Sequence, residues 1–225
     1  MILINKNKEP KEWTEYRTTP GVDYQAIPEL VDSLLKEQGY ICAYCMRRIP
    51  QRDKLYDKDG ISFSLTKEDH RVEHVKCREK HDDLKLDYLN MVVCCPGHIG
   101  DEDHCDRMKG SNDISFTPLD PLFIETLSYT SSGKINSSNP AYQSEIEGLL
   151  NLNTKLLVLN RKCVLDEIIR NITVTCKKSG TWNKSVLTKY LMKYENMHED
   201  TDAPKYYQFC GIISWYLRKK LKQLA

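Results

Sequence analysis

Apolar residues recur at helical spacing in some stretches of this chain and lose it in others. From Gln25 to Gln38, Ile27, Leu30, Val31, Leu34 and Leu35 fall on one helical face. Pro28 suits the first turn, where its missing N–H costs nothing, and Gly39 is a natural stop. Between Cys42 and Gly110 helical periodicity fades, and Ile61 to Leu65 and Arg71 to Val75 read as short strands. Ser131 to Pro140, rich in Ser, Asn and Gly, predicts a turn or linker. Helical spacing returns from Tyr142. Ile146, Leu149 and Leu150 suit one helix, and Leu156, Leu157, Val164, Leu165, Ile168 and Ile169 a longer one. Val186, Leu187, Tyr190 and Leu191 mark a third, and Tyr206 to Leu224 a last helix that is apolar early and basic late.

This pattern divides the chain into an N-terminal arm and helix (1–40), a central module (41–130) and a helical C-terminal region (131–225), with no internal repeat. The expected class is α+β, a small metal-centred module embedded in a mainly helical protein. Hydrophobic residues make up 40% of the chain, enough for a core, yet no segment approaches the apolar length of a membrane span. Met1 to Trp13 is polar and charged and does not read as a secretory signal, so the expected setting is the cytoplasm, without membrane attachment.

Charge narrows the picture. With 33 basic against 32 acidic residues, the chain is not coated in positive charge. Any nucleic-acid contact must come from a local basic patch or from a partner. Arg218, Lys219, Lys220 and Lys222 could form such a patch; the plainer reading, which we favour, is a solvated helix end whose cations suit the helix dipole.

Nine cysteines, an odd number, point to metal ligands or buried thiols rather than disulfides. Cys42-Ala-Tyr-Cys45 has the C-x-x-C spacing that lets two thiolates grip one zinc ion from a tight turn. A second cluster holds Cys94, Cys95 and Cys105 beside His98 and His104. Two such clusters make a closed tetrahedral site, for which Cys42, Cys45, Cys95 and Cys105 are the expected structural Zn²⁺ ligands. Cys94 competes with Cys95, because adjacent side chains point different ways. Cys163, Cys176 and Cys210 sit in apolar helical contexts and read as packing residues, while Cys77 lies in a charged loop with no assignment.

Between the two clusters lies Arg71-Val72-Glu73-His74-Val75, followed by Asn90 and then by Cys105-Asp106-Arg107-Met108-Lys109. Phosphodiester hydrolysis needs an activated water and charge neutralisation at the phosphate. A neutral imidazole can take the water proton at cell pH, and His74 is the candidate. Glu73 and Asp106 are hard oxygen ligands suited to Mg²⁺ or Mn²⁺. The order of these residues inside a zinc frame resembles the HNH nuclease motif, and so implies a ββα-metal fold. In that family the middle asparagine supports the hairpin loop and helps to orient the base, the role the resemblance gives to Asn90. Arg107 and Lys109 either reach phosphate or cap a short helix. One departure is Asp106, where the family usually has His or Asn. It makes a softer metal less suited to the catalytic site and leaves open a share of the work for His104 or His98. His70 and His81 read as surface residues.

A narrower likeness begins at Leu34 and runs through Gly39-Tyr40-Ile41-Cys42-Ala43-Tyr44-Cys45-Met46-Arg47-Arg48-Ile49. This stretch resembles the opening of the HNH subunit of Septu-type anti-phage systems, also found with some retrons. Glu73-His74, His104 to Gly110, and Leu150-Asn151-Leu152-Asn153 with Arg161 behind it match later blocks. The resemblance implies a bacterial endonuclease that works in phage defence with a separate ATPase of the ABC/SMC-like type. DNA is the first expected substrate, and the same site could cut RNA. The rival class is a non-catalytic zinc module that binds nucleic acid or a partner protein.

Overall fold

A computed structural model describes residues 1–49, 70–99, 101–177, 181–200 and 203–224, together with the backbone of two short strands inside the remaining interval. The chain enters through an extended arm whose Met1 and Ile4 are buried, then forms helix α1 (Lys11–Arg17), which buries Trp13 completely. Helix α2 (Pro28–Glu37) starts on Pro28 and buries Leu30, Val31, Leu34 and Leu35, the face its spacing predicts. It is three residues shorter at its start than the apolar pattern, because Pro28 can open a helix but cannot donate within one. Gly39 follows with φ +53°, and a side chain there would meet the Tyr206 ring and backbone within 2.7 Å. The stop residue is therefore also a close approach to the C-terminal region.

Strands β1 (Leu55–Tyr56) and β2 (Ser62–Phe63) pair antiparallel. The rest of the strand expected over Ile61 to Leu65 lies outside the described residues. Strand β3 (Arg71–His74) pairs antiparallel with β4 (Met91–Cys94), with Glu73 opposite Val92 and His74 opposite Met91. β4 is buried along its whole length, whereas β3 is exposed at Arg71 and buried at Glu73 and His74. The pair thus packs one side into the core and delivers the Glu-His end inward. Strands β5 (His98–Ile99) and β6 (Glu102–Asp103) pair antiparallel and lead into the one-and-a-half-turn helix α3 (Cys105–Lys109).

Helix α4 (Pro121–Glu125) is capped by the Asp120 side chain. Next, β7 (Leu127–Tyr129) and β8 (Ile135–Ser137) form a hairpin over Ser131 to Pro140. The stretch expected as a linker is a structured turn whose Tyr129 and Ile135 are buried, and Asn153 closes it with paired bonds to the Ile135 backbone at 2.9 Å. Helices α5 (Pro140–Gly148), α6 (Lys155–Thr175), α7 (Lys184–Glu195) and α8 (Cys210–Gln223) complete the fold, each of the first three with a side-chain N-cap, at Asn139, Thr154 and Asn183. Leu149 and Leu150 fall just past α5, and α8 opens at Cys210 rather than Tyr206, after a left-handed Phe209.

The β3–β4 and β7–β8 pairs and the helices share one continuous apolar cluster running from Met1 to Leu217. The architecture is mixed α and β, with helices forming the larger part. No helix among the described residues is long and apolar enough to cross a membrane.

Candidate functional site

The Cys42–Cys45 turn closes with two backbone bonds, Cys42 N–H to Arg47 O at 2.9 Å and Met46 N–H to Cys42 O at 3.0 Å. Ala43 donates to Val93 O at 3.0 Å, and the Gln38 amide clamps both backbone groups of Val93 at 2.7 and 2.8 Å. The turn is thereby fixed to β4. The second half of the cluster comes from Cys95, just past β4, and from Cys105 at the head of α3. Cys105 has φ +56°, and its N–H is held by Leu150 O at 2.8 Å.

The four sulfurs of Cys42, Cys45, Cys95 and Cys105 lie within 4.8 Å of one another, all buried. Cys42 and Cys105 are 3.8 Å apart, Cys45 and Cys95 3.6 Å, and Cys95 and Cys105 4.0 Å. Tetrahedral zinc with Zn–S bonds of about 2.3 Å places its sulfurs about 3.8 Å apart, so the spacing fits a structural zinc ion. Burial holds the thiols of Cys45 and Cys105 up, and four buried thiolates would need a cation to coexist. Cys94 is buried to the side of the cluster and does not join it.

Beside β3 a cleft of about 720 Å³ opens. It is lined by Glu73, His74, Asp106, Arg107 and Lys109 and walled by Tyr24, His70, Arg71 and Arg78. Glu73 is 4% exposed, with Tyr44 Oη donating to its Oε1 at 3.1 Å and Lys109 Nζ 2.8 Å from the same oxygen. The Asp106 carboxyl lies within hydrogen-bonding reach of Glu73. Burial first, then that neighbouring acid, raises the Glu73 carboxyl to about 8, outweighing the downward pull of Lys109. Asp106 is half-buried, with Arg71 Nη1 3.7 Å from its Oδ2.

His74 is 5% exposed and held from two sides. Its Nε2 lies 3.0 Å from Lys85 O, and the Tyr24 ring meets it edge-on at 4.6 Å between centroids. A carbonyl oxygen only accepts, so Nε2 carries the proton and Nδ1 keeps a lone pair in the neutral ring. Burial lowers the His74 pKa below the ordinary histidine value, against a partly compensating bond that its ring donates to the Lys85 carbonyl.

Asn90 closes the loop between β3 and β4. Its Oδ1 accepts from Lys76 N–H at 2.8 Å, and its Nδ2 donates to Lys76 O at 2.9 Å and Leu84 O at 3.2 Å. Leu84 adjoins Lys85, whose carbonyl meets His74, so Asn90 and the imidazole both bond the same stretch of the loop.

Other expected residues fall elsewhere. Lys109 is 1% exposed and donates to His74 O at 3.1 Å as well as pairing with Glu73; its ammonium is internal and does not sit at a helix end facing solvent. Arg107 is half-exposed, paired with Asp103 at 2.9 Å on the cleft rim. His104 is fully buried with Nδ1 3.0 Å from Cys105 Sγ, and exposed His98 lies 3.5 Å from Arg107; neither lines the cleft. His81 is half-buried and pairs with Asp113 at 3.0 Å, and His70 is a cleft residue rather than bare surface. Cys176 and Cys210 are buried, but Cys163 is exposed on α6, because it falls on the helix face opposite Leu157, Leu165 and Ile168. Cys77 is buried and lines the cleft edge.

Sequence reasoning passed over Tyr24, Tyr44 and the Lys85 carbonyl. Tyr44 carried a signal, since it lies inside the C-x-x-C turn; Tyr24 and Lys85 carried none. Neither protein-family models nor curated proteins give a match to this chain.

Proposed function

We propose that this chain is a metal-dependent endonuclease of the HNH, ββα-metal type, with DNA as the first substrate. The observation that carries this reading is the convergence of Glu73, His74 and Asp106 on one cleft from β3 and α3, where α3 begins on Cys105 of the four-cysteine cluster and β3 pairs with the strand that leads into Cys95. A binding module has no use for a buried imidazole with a free lone pair beside two carboxylates.

The two carboxylates form a hard oxygen donor set that fits Mg²⁺ or Mn²⁺, with Glu73 and Asp106 as the residues that would hold it. When bound, such an ion supplies charge neutralisation at the phosphate and at the leaving oxygen. His74 Nδ1 takes the proton of the attacking water, while Lys85 O and the Tyr24 ring keep the imidazole in the tautomer and orientation that this requires. Asn90 holds the loop that carries Lys85. Arg71, Arg78 and Arg107 give the rim a local positive character despite the near-zero net charge, and suit backbone phosphates. The resemblance to Septu-type subunits supports an ABC/SMC-like ATPase as partner and a role in phage defence.

Plasmid DNA and total RNA incubated with the purified protein, alone and with its ATPase partner, in Mg²⁺ or in chelator, test the reading. The expected result is metal-dependent cleavage that His74→Ala removes. Zinc-loaded, folded protein that binds nucleic acid and cuts neither substrate under any of these conditions would replace the nuclease with the binding module.

A further inference from the structure

The turn that carries the first two cysteines also reaches the cleft. Tyr44 lies between Cys42 and Cys45, 1% exposed, and its hydroxyl donates to Glu73 Oε1 at 3.1 Å. Lys109, four residues past Cys105, takes the same oxygen at 2.8 Å. Both donors are thus anchored by cysteines of the cluster, one on each half, and both converge on Oε1. Neither bonds Oε2, and the Asp106 carboxyl lies within hydrogen-bonding reach of the same side chain. The backbone beneath Tyr44 cannot drift, because Ala43 N–H is bonded to Val93 O on the strand that pairs with β3.

We infer that Tyr44 is a positioning residue that couples the four-cysteine centre to the divalent-ion site, by holding Glu73 so that Oε2 faces the ion. This rests on the nuclease reading, in which Glu73 is a ligand. The physical case is that of an outer-sphere donor. A carboxylate with one oxygen fixed by buried donors presents the other in one orientation, and a ligand that need not be ordered on binding holds its ion more tightly. Tyr44 suits the role better than a charged donor, because its neutral hydroxyl does not repel the ion. The same link means that the cleft is assembled only when the knuckle is.

The test is Mn²⁺ binding to the full zinc-loaded chain, read from the electron paramagnetic resonance of free Mn²⁺, with zinc content and melting temperature measured alongside. Wild type, Tyr44→Phe and Glu73→Gln are compared. Tyr44→Phe keeps the buried ring and removes only the hydroxyl. It should retain zinc and weaken Mn²⁺ binding about ten- to a hundred-fold, the range usual for outer-sphere partners. Glu73→Gln should abolish the binding. Unchanged Mn²⁺ affinity in Tyr44→Phe would overturn the inference and leave the nuclease reading standing. Loss of zinc from Tyr44→Phe would also overturn it, since the hydroxyl would then serve the knuckle's own folding. Wild-type protein that binds no Mn²⁺, or binding that survives Glu73→Gln, would remove the ion site itself and the nuclease reading with it.

Discussion

On the nuclease reading, His74 and the two carboxylates divide the chemistry between them, and single substitutions separate their roles. Loss of a general base costs about 10²–10⁴ in rate, so His74→Ala should stay folded, keep zinc, bind the divalent ion and cut slowly at every metal concentration. Asp106→Ala should instead move the Mg²⁺ requirement upward and recover partly in excess Mg²⁺ or Mn²⁺; a cleavage titration over metal distinguishes the two. A near wild-type rate for folded His74→Ala would take the imidazole out of the mechanism. The depressed pKa of His74 sets the pH response. The ring acts as a base only when neutral, and a lowered pKa keeps it neutral further into acid. The acid limb of the pH–rate profile should therefore lie below the ordinary histidine value of about 6.5, and a limb at or above that value contradicts the burial argument. Glu73 works in the opposite direction. Its carboxyl is raised to about 8, so below that pH an incoming cation must displace a proton. Divalent-ion binding should release protons near neutrality and tighten as pH rises toward that value. Calorimetry in buffers of different ionisation enthalpy measures the release, and no buffer dependence would show that the pair is already ionised.

Elements show where local pattern suffices. Helix α2 follows from five apolar residues on one face, and its stop at Gly39 from a left-handed backbone that only glycine adopts cheaply. The hairpin of β7 and β8 left no such mark, because three-residue strands offer too few positions for alternation to show, and its Ser-Asn-Gly turn looks like any connection. The β3–β4 loop is long and irregular, and its shape depends on Asn90. Asn90→Ala strips partners from Lys76 N–H, Lys76 O and Leu84 O. It should cost about 1–3 kcal/mol in thermal or denaturant unfolding and slow cleavage while leaving ion binding intact. An unchanged melting temperature would mean that the loop holds its shape without the amide. With zinc bound, the four-cysteine cluster would be the stronger bond between elements. Zinc contributes on the order of 10 kcal/mol to small zinc-held folds, so Cys45→Ser should yield protein without bound zinc and without native tertiary signal in near-ultraviolet circular dichroism.

At the scale of the whole molecule, the C-terminal helices are part of the core that holds the four-cysteine cluster. Helix α8 buries Cys210, Gly211, Ile212, Ile213 and Leu217, and a side chain at Gly211 would strike Met46, Met1 and Tyr129 within 3.0 Å. Deleting residues from Cys210 onward should abolish folding, seen as loss of solubility and cooperative melting. A nucleic-acid contact through the basic end of this helix is therefore better probed by substituting its exposed cations than by truncation. The sequence by itself determined the two groups of cysteines that cluster and most of the helices, because helical spacing and C-x-x-C turns are local and need only near neighbours to be recognised. Tertiary structure decided that Cys95 rather than Cys94 joins the cluster, that Lys109 turns inward to Glu73, that His104 lies on a sulfur instead of in the cleft, and that Tyr24 and Tyr44 support the site. Each of these is a direction taken by a side chain toward a residue distant in sequence, set by which face of its element the shared core buries, and spacing along the chain carries no record of it.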